Sequence, residues 1–332
     1  MAIEQLDSQS RQNIIELIDC IRKEQCCVFV GAGLSRPAGY PLWKDLIKNL
    51  KDETEKIEHK KIDDAGLKEL ERAELYSKII GEEKFTKFIV DIFNPNDNKQ
   101  PCSQVHRDLV QMPFTAYVTT NFDCLLEDAF IEEGEKTSYD LYPLLQVTHL
   151  RDRRIFHIHG IIDYKDLERT KKSIILTKSD FDEAYSEDSE LRRFLKSLYS
   201  DLTIMFVGFS LNEPYLMKIL EVSKIEYDKK RDIAATRNMG TLTEPKHYAF
   251  LAIPEIKKDN LTHEQIESYT KSYTEKEDSR LQELGVSTIR YKADELNHTQ
   301  LINLISEMNQ IINERVETKI SRDDTHWSDR NE

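Results

Sequence analysis

The chain has 332 residues, with 47 Lys and Arg against 61 Asp and Glu and a net charge of −14; this excludes an extended nucleic-acid-binding surface but leaves room for a local basic pocket that takes a small anion. Mean hydropathy is −0.59, no apolar run approaches the roughly 20 residues that span a bilayer, and Met1 to Arg11 lacks the apolar core of a signal peptide, so the chain reads as soluble and cytoplasmic with no membrane partner. Five cysteines, none in a C-x-x-C pair, argue against a disulfide framework or a structural zinc site and read as free thiols.

Ser8 to Lys23 carries Ile14, Leu17, Ile18 and Ile21 at helical spacing, which predicts a helix feeding the first strand. Cys27-Val28-Phe29-Val30-Gly31-Ala32-Gly33-Leu34-Ser35 follows, and the rest of the chain is organised around it. Its apolar half reads as a short buried strand. The turn then passes through Gly31 and Gly33, which can take positive φ and bring backbone close to a ligand. If a helix follows, its first N–H groups would hold a phosphate or diphosphate; the other reading is a tight strand-to-helix turn. Arg36 to Trp43 holds two prolines and a glycine and reads as a loop. Trp43 would either stack on a flat ligand or anchor this loop on the core.

Trp43 to Asn94 reads as helical throughout, with a solvated charged stretch at Lys51 to Asp64, and forms an insertion between two strands that Pro95 to Pro101 closes. Such an insertion can cap a pocket left by the glycine turn. A helix over Gln104–Met112 leads to a strand at Thr115–Thr119, then Thr120-Asn121-Phe122-Asp123, then a helix to Glu132 for which Asp123 is the expected N-cap. Tyr142 to His149 is left unassigned. Arg154 to Gly160 reads as a strand with His157 and His159 on one face. Metal binding by that pair lacks a third ligand at a fixed offset, so a single acid/base or orienting histidine is the preferred reading.

A brief β-rich run at Ser173–Thr177 precedes a helical region with Phe181, Tyr185, Leu191, Phe194, Leu195 and Leu198. Leu202 to Val207 is a second strand that ends in a glycine turn, Gly208-Phe209-Ser210. Asn212-Glu213-Pro214 opens the next helix. Lys224 to Lys246 reads as a long exposed connection, Tyr248–Ile253 and Val286–Tyr291 as strands, and Thr262 as the cap of a helix ending at Gly285. A final helix carries Leu301 to Ile312, and 317–332 reads as a disordered tail.

Five or six apolar strands alternating with helices predict an α/β, Rossmann-like parallel sheet with helices on both faces and an inserted helical module. The expected division is a Rossmann domain over 10–43 and 102–316, the helical insertion over 44–101 and the tail. Ligands of such sheets bind outside the carboxyl ends of the strands. Gly31–Ser35, Asn121–Asp123, His159–Gly160 and Gly208–Ser210 would all sit there, on one edge.

These segments, in this order, resemble the motifs of the sirtuin family. Gly31-Ala32-Gly33-Leu34-Ser35 looks like its first nucleotide loop and Gly39 to Lys44 is similar to the loop that follows. Thr119 to Asp123 resembles the nicotinamide-pocket motif, His159-Gly160 the catalytic histidine motif and Gly208-Phe209-Ser210 the ribose-contacting turn. The departures are a Thr at 120 where the family has Gln, Leu42-Trp43-Lys44 in place of Asp-Phe-Arg, and no cysteine after Cys124 to build the family's zinc ribbon. The pattern therefore looks like the bacterial sirtuin-like NADases, effectors of anti-phage defence.

That resemblance implies an NAD+ hydrolase, with NAD+ as substrate and no zinc. It places catalytic roles on His159 and Asn121, and cofactor contacts on Gly31, Ala32, Gly33, Ser35, Asp123, Trp43, Gly208 and Ser210. The glycine loop would hold the diphosphate with backbone N–H groups. Asn121 would position the ribose or the attacking water, and Asp123 would accept a hydrogen bond from the nicotinamide carboxamide. His159 would bond a ribose hydroxyl and could serve as general base, its ordinary pKa of about 6.5 suiting that task. Control of so destructive an activity implies homo-oligomers and a separate defence partner, such as a ring-forming ATPase or an Argonaute-like protein. ADP-ribosyl transfer or deacylation, and a non-catalytic NAD or cyclic ADP-ribose sensor, are the alternatives.

Overall fold

The strand that precedes the first glycine turn lies at the centre of the molecule. In β1 (Cys26–Val30) every residue is buried, because strands pair with it on both sides and helices cover both faces. Cys26, Val28 and Val30 join one apolar cluster with Ile14, Leu17 and Leu304, while Cys27 and Phe29 point the other way, into a cluster with Leu195 and Ile219. This period of two is the alternation that a doubly covered strand requires. The computed structural model describes residues 1–94, 101–163, 166–237, 244–255, 262–294 and 298–328, with side chains described to residue 314.

The remaining strands are β2 (Ala116–Thr119), β3 (Tyr139–Leu141), β4 (Arg154–His157), β5 (Thr203–Val207), β6 (His247–Ile253) and β7 (Val286–Lys292). They form one sheet in the order β3-β4-β2-β1-β5-β6-β7, and its pairings are parallel. The helices are α1 (Ser8–Arg22), α2 (Trp43–Glu58), α3 (Glu69–Ile80), α4 (Glu82–Phe93), α5 (Gln104–Gln111), α6 (Leu125–Glu132), α7 (Leu167–Ser173), α8 (Lys178–Ala184), α9 (Glu190–Asp201), α10 (Pro214–Thr236), α11 (His263–Glu283) and α12 (Thr299–Ser328). The expected Rossmann-like architecture is the one observed. Since β1 pairs with β2 on one side and β5 on the other, the topological switch point lies at its carboxyl end, where such sheets hold ligands.

Several local expectations change. β3 occupies the sheet edge in a stretch with no predicted strand; only three residues long, it is too short to display a period. The expected helical stretch is three helices, broken first where His59 and Gly66 and then where Gly81 take positive φ, and Leu46, Ile47, Tyr76, Phe85 and Phe93 share the cluster that covers β1. Residues 95–100, within the Pro95–Pro101 closure, lie outside the described residues. Ser173–Thr177 is no strand: Ser173 ends α7 and Thr177 caps α8. Much of the connection expected at Lys224–Lys246 is α10, which runs to Thr236. Its polar residues are good helix formers, and Lys224 bridges Asp228 one turn on at 2.9 Å. The 317–332 tail falls on the end of α12 and beyond it, where no side chain is described. No helix among the described residues is long and apolar enough to cross a membrane.

Candidate active site

The two glycine turns meet at the switch point. Gly31 N–H donates to Val207 O and Gly33 N–H to Gly208 O, each at 2.9 Å. A Cβ on Gly31 would stand 2.4 Å from Gly208 O, and one on Gly208, whose φ is +66°, 2.8 Å from Gly31 O. These glycines let the ends of β1 and β5 interlock backbone to backbone, which any side chain would prevent. A short 3-10 turn, Arg36–Ala38, follows the loop, so no α-helix starts directly after the first glycine turn. The Leu34 and Ser35 N–H groups are also bonded, to Gly31 O and Ala32 O at 3.1 Å. In this structure the loop amides expected to face a diphosphate largely close the loop on itself.

From this base the polar groups assemble. Thr119, the last residue of β2, donates its hydroxyl to Val30 O at 3.0 Å and accepts the Asn121 N–H at 3.0 Å, which locks the β2 exit against β1. Asn121 Nδ2 donates to Ser35 Oγ at 3.0 Å, and the Ser35 hydroxyl bonds the Asp123 carboxyl. This chain of donors fixes the Asn121 amide through its nitrogen. Oδ1 is buried and has no partner among the described residues. Asp123 is one residue too early to be the N-cap of α6, which is Cys124, yet its Oδ1 accepts the Leu125 N–H at 3.2 Å. Burial pushes its carboxyl up to about 6, against the opposing pull of the Ser35 and Leu125 hydrogen bonds.

His157 and His159 do not share a face. The strand ends at His157, and the chain turns through Gly160, where a φ of +89° and a Cβ that would stand 2.2 Å from Ser173 O admit only glycine. His157 Nε2 pairs with Glu127 Oε1 of α6 at 2.6 Å. Burial opposes a charge on that imidazole, but the Glu127 carboxylate outweighs it and holds the pKa above the ordinary value. His159 enters the opposite layer. Its Nε2 lies 2.6 Å from the Tyr185 hydroxyl, and its ring meets the edge of Phe181 at 5.0 Å. Burial alone pushes its pKa down to about 3. The base titrating near neutrality that the sequence suggested is, in this setting, a neutral imidazole.

The inserted helices reach the same place. Trp43 opens α2 and meets Phe181 edge-on at 6.4 Å, while Glu74 of α3 accepts the Ser179 N–H of α8 at 3.0 Å. Tyr40 is an anchor, stacked on Phe93 at 5.7 Å. Asn121, Asp123, Ser35 and His159 are 7%, 9%, 1% and 6% exposed, so the cluster is roofed; Ala32, Gly33, Trp43 and Gly208 are half-buried and Ser210 is exposed. The sequence does not single out Glu127 or Tyr185 as part of this site, and Thr119 only as the first residue of the Thr119 to Asp123 motif. The one available signal was the aromatic pair Phe181 and Tyr185 at i, i+4, which on periodicity alone is a core stripe. Among the described residues no group of three or more His, Cys, Asp or Glu could hold a metal ion.

Residues 115–276 match the family model described as a SIR2-like domain, a stretch that contains Asn121, Asp123, His159 and Gly208. A relative named NAD(+) hydrolase ThsA from Cytobacillus dafuensis is 28% identical over 214 residues, 62% of this chain and 40% of its own length. Another of that name, from Bacillus cereus, is 27% identical over 304 residues, covering 90% of this chain and 56% of its own. Defense-associated sirtuin 2 of Bacillus subtilis is 24% identical over 227 residues, 67% of this chain and 22% of its own. The chain thus spans 56% or less of the length of these relatives. Among solved structures, a Sir2 mutant with a p53 peptide and NAD aligns with a TM-score of 0.38 at 16% identity, covering 80% of this chain and 98% of that one.

Proposed function

We propose that this chain, which carries a SIR2-like domain, is an NAD+ hydrolase that releases nicotinamide and ADP-ribose. One observation carries the reading: the buried Asn121 carbonyl oxygen, without a partner and fixed by Ser35, at the switch point of a parallel sheet. An acceptor held this way suits a ribose hydroxyl or an attacking water. It is costly to bury otherwise. In the reaction the bond between nicotinamide and the ribose carbon breaks, and its electron pair leaves with nicotinamide, which departs neutral. Water adds to the oxocarbenium-like carbon and gives up a proton. Asn121 aligns that water or the ribose. Asp123, ionised above about pH 6, accepts from the carboxamide. His159 lies against the ribose, and Trp43 closes the site with Phe181. Gly31, Ala32, Gly33, Ser35, Gly208 and Ser210 line the diphosphate and ribose side once the loop opens.

The names of the relatives, NAD(+) hydrolase and defense-associated sirtuin, support assigning this activity to depletion of cellular NAD+ in anti-phage defence, in the cytoplasm. Such an enzyme must be silent until triggered, and its control falls to a homo-oligomer and a separate defence partner, such as a ring-forming ATPase or an Argonaute-like protein. The roofed site fits a resting state. The test is NAD+ consumption by the purified chain, alone and with the product of a neighbouring gene, with products resolved. Nicotinamide and ADP-ribose in equal amounts, lost in Asn121→Ala, is the expected result. Nucleotide bound and never consumed under either condition would make the chain a sensor.

A further inference from the structure

The His159 side chain makes one hydrogen bond among the described residues, from Nε2 to the Tyr185 hydroxyl at 2.6 Å. Its Nδ1 has no partner among them and is not sealed from solvent, so a proton carried there can meet water or a ligand. Tyr185 is the C-cap of α8. Its ring is stacked on Phe181 at 5.7 Å and 7° and tilted against Tyr215 at 5.4 Å, so neither ring of the pair can swing without disturbing the other. The direction of the bond follows from bookkeeping of protons. The Tyr185 hydroxyl is buried, and burial with the nearby Glu213 and Tyr199 keeps it protonated. If it accepted from Nε2–H, its own proton would be buried with no acceptor, which costs more than the bond returns. It therefore donates, and Nε2 carries the lone pair.

We infer that Tyr185 is a positioning residue that holds His159 as its Nδ1–H tautomer, so that the imidazole meets the nucleotide as an N–H donor and not as a proton acceptor. The inference rests on the proposed NAD+ site for what the donor meets, but the tautomer itself does not depend on it. The groups around the ring agree. From α8 they are Phe181 and Tyr185, and Tyr215, near the start of α10, packs on both. Of the charges beside these rings, Glu213 acts on Tyr185, and Asp182 accepts from Tyr215 at 2.5 Å. Neither acts on the imidazole, whose pKa is lowered by burial alone. A neutral N–H donor suits a ribose oxygen beside a carbon that becomes positive, where an imidazolium would repel that charge.

The test uses the full chain with 15N-labelled histidine, the His159 signals being assigned by their loss in His159→Ala. The wild type should show a neutral Nδ1–H ring that does not titrate between pH 5 and 8. Tyr185→Phe should mix the tautomers while the ring, still buried, stays neutral across this range. In NAD+ turnover the same variant should lose about tenfold in kcat with KM nearly unchanged. A wild-type ring that carries its proton on Nε2, or that titrates near neutrality, overturns the inference even if Tyr185→Phe does not fold. So does a Tyr185→Phe ring indistinguishable from wild type. If neither protein consumes NAD+, alone or with the product of the neighbouring gene, while the spectra behave as expected, the hydrolase reading fails and the tautomer assignment stands.

Discussion

Two histidines that are two residues apart in the sequence occupy opposite kinds of site. His157 is fully buried, in the layer of α6, with a carboxylate 2.6 Å away. His159 is buried in the layer of α8, among aromatic rings and a hydroxyl. The pKa of the first is held above the ordinary value and that of the second is pushed down to about 3. Low dielectric acts on both; what differs is whether a counter-charge is within reach. The His157 side is built as a joint. It ties β4 to α6, and the loops above it are laced by Ile158 N–H to Thr119 O and Ile162 N–H to Phe122 O, at 3.0 and 3.1 Å. On the proposed reading, the ligand is met from the His159 side.

If that division holds, substitutions should separate into losses of turnover and losses of stability. The largest effect is expected from Asn121→Ala, which removes the fixed acceptor. Turnover of NAD+ should fall about a thousandfold, or roughly 4 kcal/mol in the barrier, with the urea midpoint little changed. Equal loss of stability would merge the two regions. Glu127→Ala should do the reverse. It strands His157 in the core and should cost about 3 kcal/mol by urea unfolding. A paired histidine stabilises below its ordinary pKa and ceases to as pH rises through the elevated folded one, so the variant should also flatten stability against pH above about 6.5. A pH dependence identical to wild type would remove the joint from the argument.

Asp123 sharpens the contrast. Its folded pKa of about 6 exceeds the ordinary 3.8, so the carboxyl binds its proton more tightly in the folded state. Stability must then fall as pH rises from about 4 to 6, with the full penalty present above that. Asp123→Asn should stabilise the chain at pH 8 by about 2 kcal/mol and abolish that slope, while impairing turnover. A variant less stable than wild type at pH 8 would mean that Asp123 is structural. Ser35→Ala should have the smallest effect on folding, about 1 kcal/mol for one hydrogen-bonding hub. It should still weaken turnover measurably by freeing the Asn121 amide; unchanged kinetics would show that Asn121 is held by something other than Ser35.

The candidate site was legible where chemistry and chain position coincide. Glycines after apolar strands, Asn121 and His159 all mark carboxyl ends of strands, and those ends meet because parallel strands can only be joined by crossovers. Tyr185 was not legible. It sits in a helix whose apolar period is fully explained by packing, and nothing along the chain says that its hydroxyl ends 2.6 Å from an imidazole 26 residues earlier. The role of Gly31 was legible only in part. Positive φ was the sequence argument for this turn, whereas the structure uses Gly31 for the approach of a second backbone, from a strand about 180 residues away.

By itself, the sequence determined the class of the sheet and that the glycine turns, Asn121 and His159 follow the carboxyl ends of its strands. Each follows from local pattern: apolar runs bounded by glycine, polar residues just past them, helices between. Tertiary structure alone decided how those residues are charged and which way they face. His157 and His159 share a residue type and nearly a position, and alternation along an uninterrupted strand would have put them together. The strand stops at His157, Gly160 turns the chain, and the layer that each ring enters supplies a carboxylate to one and aromatic rings to the other. Protonation is an energy difference set by neighbours within a few ångströms, and those neighbours come from α6 and α8, segments brought there only by folding.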